Sequence, residues 1–229
     1  MGLGPVWELR NQPSESPLPQ QLDAGLTAAR KPVAESNHTI DLGALAQEVA
    51  QCKACGLCQT RTQTVFADGV PGSPLMVVGE APGADEDQQG FPFVGRAGQL
   101  LDKMLHALGM NRRSNVYIAN VLKCRPPGNR NPEVSEVEQC TPYLLQQIQA
   151  SQPKVLFLVG RFAINALLNT EKPISQLRGV VHHIELHGRQ IPAVVSYHPA
   201  YLLRRPEEKS KSWDDLLLLN NTLNSIVQS

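Results

Sequence analysis

The stretch "SPLMVVGEAPGADED", residues 73–87, sets an apolar run against a turn and then a knot of carboxylates. "PLMVVG" (74–79) is short, continuous and bounded by turn residues, the pattern of a strand buried on both faces rather than on one. Three further runs share it: "NVYIANV" (115–121), "KVLFLVG" (154–160) and "IPAVVSY" (191–197). Between them lie segments of helical period. "GRAGQLLDKMLHALGM" puts Leu100, Leu101, Met104, Leu105 and Leu108 on one stripe, and "PEVSEVEQCTPYLLQQIQA" opens with Pro132 and acids, as a helix start does. Pro142 is expected to end or kink the first part of that helix. "RFAINALL" and "SWDDLLLLNNTLNSIV" supply two more. Alternating strands and helices predict a three-layer α/β/α sandwich around a central four-stranded parallel sheet.

In such a sheet, ligands sit beyond the carboxyl ends of the strands. "GEAPG", "KCRPPGNRNP", "GRFA" and "HPAYLLRRP" each follow a predicted strand, so all four are expected at one cleft. The first is unusual: "GEAPGADED" (79–87) gathers Glu80, Asp85, Glu86 and Asp87 without one Lys or Arg. An acidic loop repels phosphate. It suits a metal ion, or chemistry on a group that becomes positive.

Bulk composition sets the limits. With 229 residues and 41% hydrophobic composition, the chain can bury one substantial core. Lys plus Arg and Asp plus Glu both total 21, so any basic footprint for a polyanion is local. Residues 1–38 hold five prolines and one aromatic residue, Trp7, with little periodicity, and are expected to form a disordered tail ahead of a domain at 39–229. "QQLDAGL" within that tail has a weak likeness to peptides that dock on replication clamps; a polar linker or frayed helix is the preferred reading. No apolar run approaches the roughly 18 residues that span a bilayer, and the start lacks a leader pattern, so a cytoplasmic, membrane-free and monomeric protein is expected.

Five cysteines, an odd number, argue for metal binding, catalysis or burial over a disulfide framework. "CKACGLC" spaces Cys52, Cys55 and Cys58 by three, while Cys124 and Cys140 flank a basic, proline-rich loop beginning "CRPPGNRNP". Two sulfurs at CxxC spacing plus two more make a four-thiolate centre, which zinc and an iron–sulfur cube both accept. Anchoring Cys124 and Cys140 would stiffen a loop that carries Arg125 and Arg130, with Lys123 just ahead, and suits phosphate contact.

These motifs resemble a known family. "GEAPGADEDQQGFPFVGRAGQLLD", "YIANVLKCRPPGNRNP" and "SYHPAYLLRRP", with cysteines at 52, 55, 124 and 140, look like the iron–sulfur uracil-DNA glycosylases, family 4 of that superfamily, from about Ile40 onward. The resemblance implies a DNA repair enzyme that flips uracil out of DNA and hydrolyses its N-glycosidic bond, leaving an abasic site. It implies a structural 4Fe-4S cluster on Cys52, Cys55, Cys124 and Cys140, with Cys58 as an extra thiol that could compete for it. Glu80, Glu86 and His198 match the catalytic positions: a carboxylate for the cation-like sugar and its attacking water, and an imidazole near uracil O2 for the departing anion. Phe93 matches the residue stacked on the flipped base. Asn120 matches the uracil reader, since an amide offers donor and acceptor together. Asn129 is a further candidate for substrate binding. In "HPAYLLRRP", Leu202 and Leu203 read as a wedge and Arg204, with Arg125 and Arg130, as phosphate contacts. Where a self-trapping relative carries a histidine in a basic insertion, this chain reads "PPGNRNP", so turnover is expected. The rivals are a non-catalytic, cluster- or zinc-bearing nucleic-acid-binding accessory protein of the same fold, and a zinc hydrolase of another class.

Overall fold

Each of the four predicted runs becomes a strand because its side chains are apolar on both faces. They form β2 (Leu75–Gly79), β3 (Val116–Asn120), β4 (Val155–Val159) and β6 (Arg189–Ser196), and every residue of the first three is buried. A computed structural model describes residues 40–227; the expectations for residues 1–38, "QQLDAGL" included, lie outside the described residues. The sheet has six strands in the order β1-β3-β2-β4-β6-β5, with β3, β2, β4 and β6 parallel. The four-stranded expectation is therefore corrected at both edges: β1 (Asp68–Gly69) pairs antiparallel with β3, and β5 (Val181–Leu186) antiparallel with β6. Neither carries the buried signature. β1 is two residues long, and β5, "VHHIEL", is half-buried or exposed everywhere except at Ile184, as an edge strand facing water is.

Helices cover both faces. The alternating residues Met76, Val78, Leu156, Leu158, Ala193 and Val195 pack with Leu144 and Ile148 of α4 (Val134–Ser151) and with Ala163 and Ile164 of α5 (Arg161–Leu168). The opposite face, with Leu75, Val77, Ile118, Phe157 and Val194, packs on Leu101 and Leu105 of α3 (Arg96–His106), Leu202 of α7 (Pro199–Arg204) and Leu219 of α8 (Lys209–Val227). Shorter helices α1 (Leu42–Gln51), α2 (Ala84–Gln89) and α6 (Ile174–Leu177) complete the set. α4 runs unbroken through Pro142. Its proline and Glu138, whose carbonyl loses its bond, are both exposed, so water can take the freed acceptor. Among the described residues, no helix is long and apolar enough to cross a membrane.

Chain order fixes where a ligand can sit. From β2 the chain crosses to β3 on one side; from β4 it continues to β6 on the other. The loops after β2 and β4 therefore part, and a crevice opens at their carboxyl ends. "GEAPG" and "GRFA" border it.

Candidate active site and thiol centre

A cavity of about 300 Å³ occupies that crevice, at the small end of ligand sites, which run roughly 300–1,000 Å³. Glu80, Glu86, Phe93, Asn120, Asn129, Arg130, His198 and Arg204 all line it. Parallel register explains the meeting: Gly79 pairs with Asn120 across β2 and β3, so Glu80 and Asn120 leave adjacent strand ends, while His198 follows β6 on the far side of β4.

Two glycines make room. A Cβ on Gly79 would stand 2.4 Å from Asn120 Oδ1 and 2.5 Å from the Phe93 ring, so only a bare backbone lets amide and ring lie over the strand end. Gly160, at φ +97°, plays the same part under His198, whose Cβ lies 3.1 Å from the ideal Cβ position.

The carboxylates divide the work. Glu86 is spent on backbone: Oε2 accepts from the Gly83 N–H at 3.0 Å, and Oε1 from Val94 at 2.9 Å and Gly95 at 3.0 Å. These bonds hold two turns together while Glu86 still lines the cavity. Asp87, buried, takes the Thr62 N–H on both oxygens, and Asp85 is exposed. Glu80 alone faces the cavity with no hydrogen-bonding partner among the described residues, and burial pushes its carboxyl up to about 6, a rise that nearby Arg161 opposes. At neutral pH it is ionised but poorly solvated.

His198 Nδ1 accepts the Ala200 N–H at 3.2 Å as α7 begins, which puts the ring proton on Nε2. Burial, with Arg204 adding to it, lowers its pKa to about 4, so the imidazole is neutral in any physiological buffer. Its ring stacks at 5.5 Å and 28° on Phe93. Phe93 itself holds φ +55°, a left-handed conformation costing of order 1–3 kcal/mol in a bulky residue. Asn120 is 2% exposed, and its buried Oδ1 has no hydrogen-bonding partner among the described residues. Such an orphan costs about 1–3 kcal/mol unless a ligand answers it.

The basic side chains scatter more than expected. Arg130 grips Glu136 through two bonds of 2.9 and 2.6 Å, so its charge is neutralised while it lines the rim. Arg125 Nε donates to Asn129 Oδ1 at 2.7 Å, fixing a residue at φ +55° that is a further candidate for substrate binding. Lys123 is not a phosphate contact at all: it is 1% exposed and donates to the Asn120 carbonyl at 2.6 Å and to Gln147 Oε1. Arg204 is exposed on the rim. Leu202 is 1% exposed in the core beneath α7, which excludes it as a wedge; Leu203, partly exposed, keeps that role open. On a helix, neighbouring side chains point about 100° apart, so one can enter the core while the next reaches the surface. Leu203→Ala is expected to slow action on paired DNA more than on single strands, whereas Leu202→Ala is expected to lower folding stability by about 2–5 kcal/mol without that preference for paired DNA. Equal losses on both substrates for Leu203→Ala would remove the wedge.

All five cysteines line a second cavity, with Val49, Arg61, Lys123 and Tyr143. Cys52 caps α1, Cys55 precedes a 3₁₀ turn just after it, Cys124 follows β3 and Cys140 lies on α4, so these thiols come from three separate stretches of chain. The thiols have donors ready for negative sulfur: Arg61 Nη1 reaches Cys124 Sγ at 3.1 Å, and the Lys123 N–H reaches Cys140 Sγ at 3.3 Å. Among the described residues, no group of three or more His, Cys, Asp or Glu side chains is arranged to hold a metal ion; the thiols ring a space. Their soft donors, paired with N–H groups and a guanidinium, fit a thiolate-bound centre.

A family model described as the uracil DNA glycosylase superfamily matches residues 66–217. A type-4 uracil-DNA glycosylase of Archaeoglobus fulgidus is 42% identical over 175 residues, covering 75% of this chain and 87% of that one. The chain belongs to the uracil-DNA glycosylase superfamily. Type-4 uracil-DNA glycosylases of Pyrobaculum aerophilum, 39% identical over 183 residues (78% of this chain, 93% of the other), and of Thermotoga maritima, 41% over 162 residues (70% and 82%), place it on the type-4 branch. For a uracil-DNA glycosylase superfamily member, the six-stranded mixed sheet and the crevice at its carboxyl edge are the expected frame. Sequence does not reveal the braces: Glu86, Arg125 and Lys123 meet a mixture of backbone and side-chain partners, most of them nearby in the chain, that only the folded turns bring into reach.

Proposed function

We propose that this chain flips uracil out of DNA and hydrolyses its N-glycosidic bond, leaving an abasic site, with turnover and without strand cleavage. The observation that carries the reading is the orphaned Oδ1 of Asn120 in a cavity shared by Phe93, His198 and Glu80. A lone amide with its oxygen unanswered can pair with uracil's N3–H and O4 together. Cytosine presents the opposite pattern there and would leave the amide unpaired, which rejects it. Phe93 offers an apolar face to the ring of the flipped base. As the C1′–N1 bond stretches, charge separates. The neutral His198 donates from Nε2 toward uracil O2, and the ionised Glu80 faces the electron-poor sugar and orients water to it. Neither group must change protonation state to stabilise these charges, and the proton shed by the water as its oxygen bonds to C1′ balances the proton taken up by the departing uracil anion. An acidic loop at a DNA-binding mouth is then reasonable, because three of its four carboxylates hold structure or face solvent and one meets a developing cation.

Cys52, Cys55, Cys124 and Cys140 would hold a 4Fe-4S cluster whose contribution is structural, tying the start of the domain to the loop after β3 and to α4. Burial raises the Cys140 thiol to about 11, so loading must expel its proton. Cys58 lines the same cavity and is the spare thiol. A brown protein with broad visible absorbance and stoichiometric iron is expected; a colourless protein with one zinc would reverse the cofactor assignment. The chain is read as a cytoplasmic monomer. Activity is tested by incubating a uracil-containing oligonucleotide, then treating with alkali: cleavage at uracil alone is expected. Intact uracil strands would favour a non-catalytic binding protein, although such a protein has no use for a buried unpaired amide beside a destabilised carboxylate.

A further inference from the structure

We propose that Arg112 is the positioning residue that holds Phe93 in its base-stacking conformation. The inference rests on Phe93 being the stacking residue. Arg112 follows α3 and lies outside the cavity that holds Glu80 and Asn120. Its guanidinium makes five hydrogen bonds. Nη1 donates to the Pro92 carbonyl at 3.0 Å and Nη2 to the Phe93 carbonyl at 3.0 Å. The other three anchor the fork: Nη1 to Asp68 Oδ2 at 2.8 Å, Nε to Asp102 Oδ1 at 2.9 Å and Nη2 to the same oxygen at 2.8 Å.

The turn that carries the ring is thus clamped between opposite charges. Carbonyls 92 and 93 point to the Arg112 cation, while the N–H groups of Val94 and Gly95 point to the Glu86 anion. A peptide turn has both kinds of group, and fixing each kind on its own side defines the orientation of the residue between them. That residue is Phe93, held at φ +55°, where an L side chain does not rest unaided. Gly98 closes the clamp: a Cβ there would come within 1.7 Å of the Phe93 oxygen, so α3 packs against the carbonyl that Arg112 holds. If the fork opens, φ can relax, and the ring swings off Gly79 and His198, where it now lies.

Lysine cannot replace this fork, because one ammonium cannot span two carbonyls and two carboxylates set on different sides. Arg112→Lys is expected to lower single-turnover cleavage of a uracil oligonucleotide about 10-fold and to weaken inhibition by free uracil by a similar factor, the scale of a modest misplacement of a binding group. Far-UV circular dichroism should show the variant folded. In a Phe93→Ala background the same substitution should change either quantity less than about twofold, because the ring it positions is gone. Additive losses, or unchanged uracil inhibition in Arg112→Lys, overturn the proposal and leave Phe93's own role intact. Should Arg112→Lys fail to fold, Asp102→Ala, which removes the acceptor of two of the five bonds at a half-exposed carboxylate, must weaken uracil inhibition; wild-type inhibition there overturns it equally. If Phe93→Ala alone leaves cleavage and uracil inhibition unchanged, stacking by Phe93 falls, and the positioning role with it.

Discussion

Glu80→Gln is expected to lower uracil excision by about 10²–10³-fold and, at the same time, to make the protein more stable. The two effects share one cause. Glu80 sits in the cavity without a hydrogen-bond donor of its own, and burial lifts its pKa from 4.5 to about 6. The folded state therefore holds that proton more tightly than the unfolded chain does. Its favourable contribution is complete below about pH 4.5 and is lost as pH rises through about 6. At pH 7.5 the ionised carboxylate costs the fold about 2 kcal/mol, which glutamine, equal in shape and uncharged, would return. Denaturant unfolding at pH 7.5 measures this gain, and the gap between wild type and variant should shrink to under about 1 kcal/mol at pH 5. Excision by the wild type should fall below pH 6, about tenfold for each further unit, because a protonated Glu80 no longer answers a positive sugar. The residual activity of Glu80→Gln should lack that acid limb. A variant with full activity, or one that keeps the limb, removes the electrostatic role.

His198→Ala should cost a comparable 10²–10³-fold, with the acid limb near pH 6 preserved in what remains. The ring is a neutral donor: Nδ1 is occupied by the Ala200 N–H, and a pKa near 4 keeps the imidazolium out of the working range. His198→Asn, which restores one N–H, should recover part of the loss. An imidazolium donor would behave oppositely, with excision rising as pH falls through 6.5, and that profile in the wild type would refute the neutral-donor assignment. Stability carries a second signature. A histidine with a depressed pKa favours the folded state above about pH 6.5 and withdraws that support as pH falls, because the unfolded chain then takes up the proton first. Glu80 and His198 thus pull the stability profile in opposite directions across the acid range.

Much of this arrangement was legible before any coordinates. Continuous apolar runs located the four parallel strands, since a strand covered on both faces has no polar side to show. Glu80, Asn120, Gly160 and His198 followed those runs directly, so the carboxyl-edge rule gathered them correctly. The edge strands escaped because their pairing is backbone work, available to a two-residue segment or a half-polar one.

What residue order decided by itself was which side chains stand at the ends of the strands and which cysteines repeat at turn spacing, because both follow from periodicity along the chain. What it left open was the use of each charge. Glu80 and Glu86 are the same residue six positions apart, yet one is stripped of partners and the other accepts three backbone N–H groups. Leu202 and Leu203 are adjacent, yet one fills the core and the other meets solvent. Only packing settled these, since solvation and partnership depend on neighbours that arrive from elsewhere in the chain.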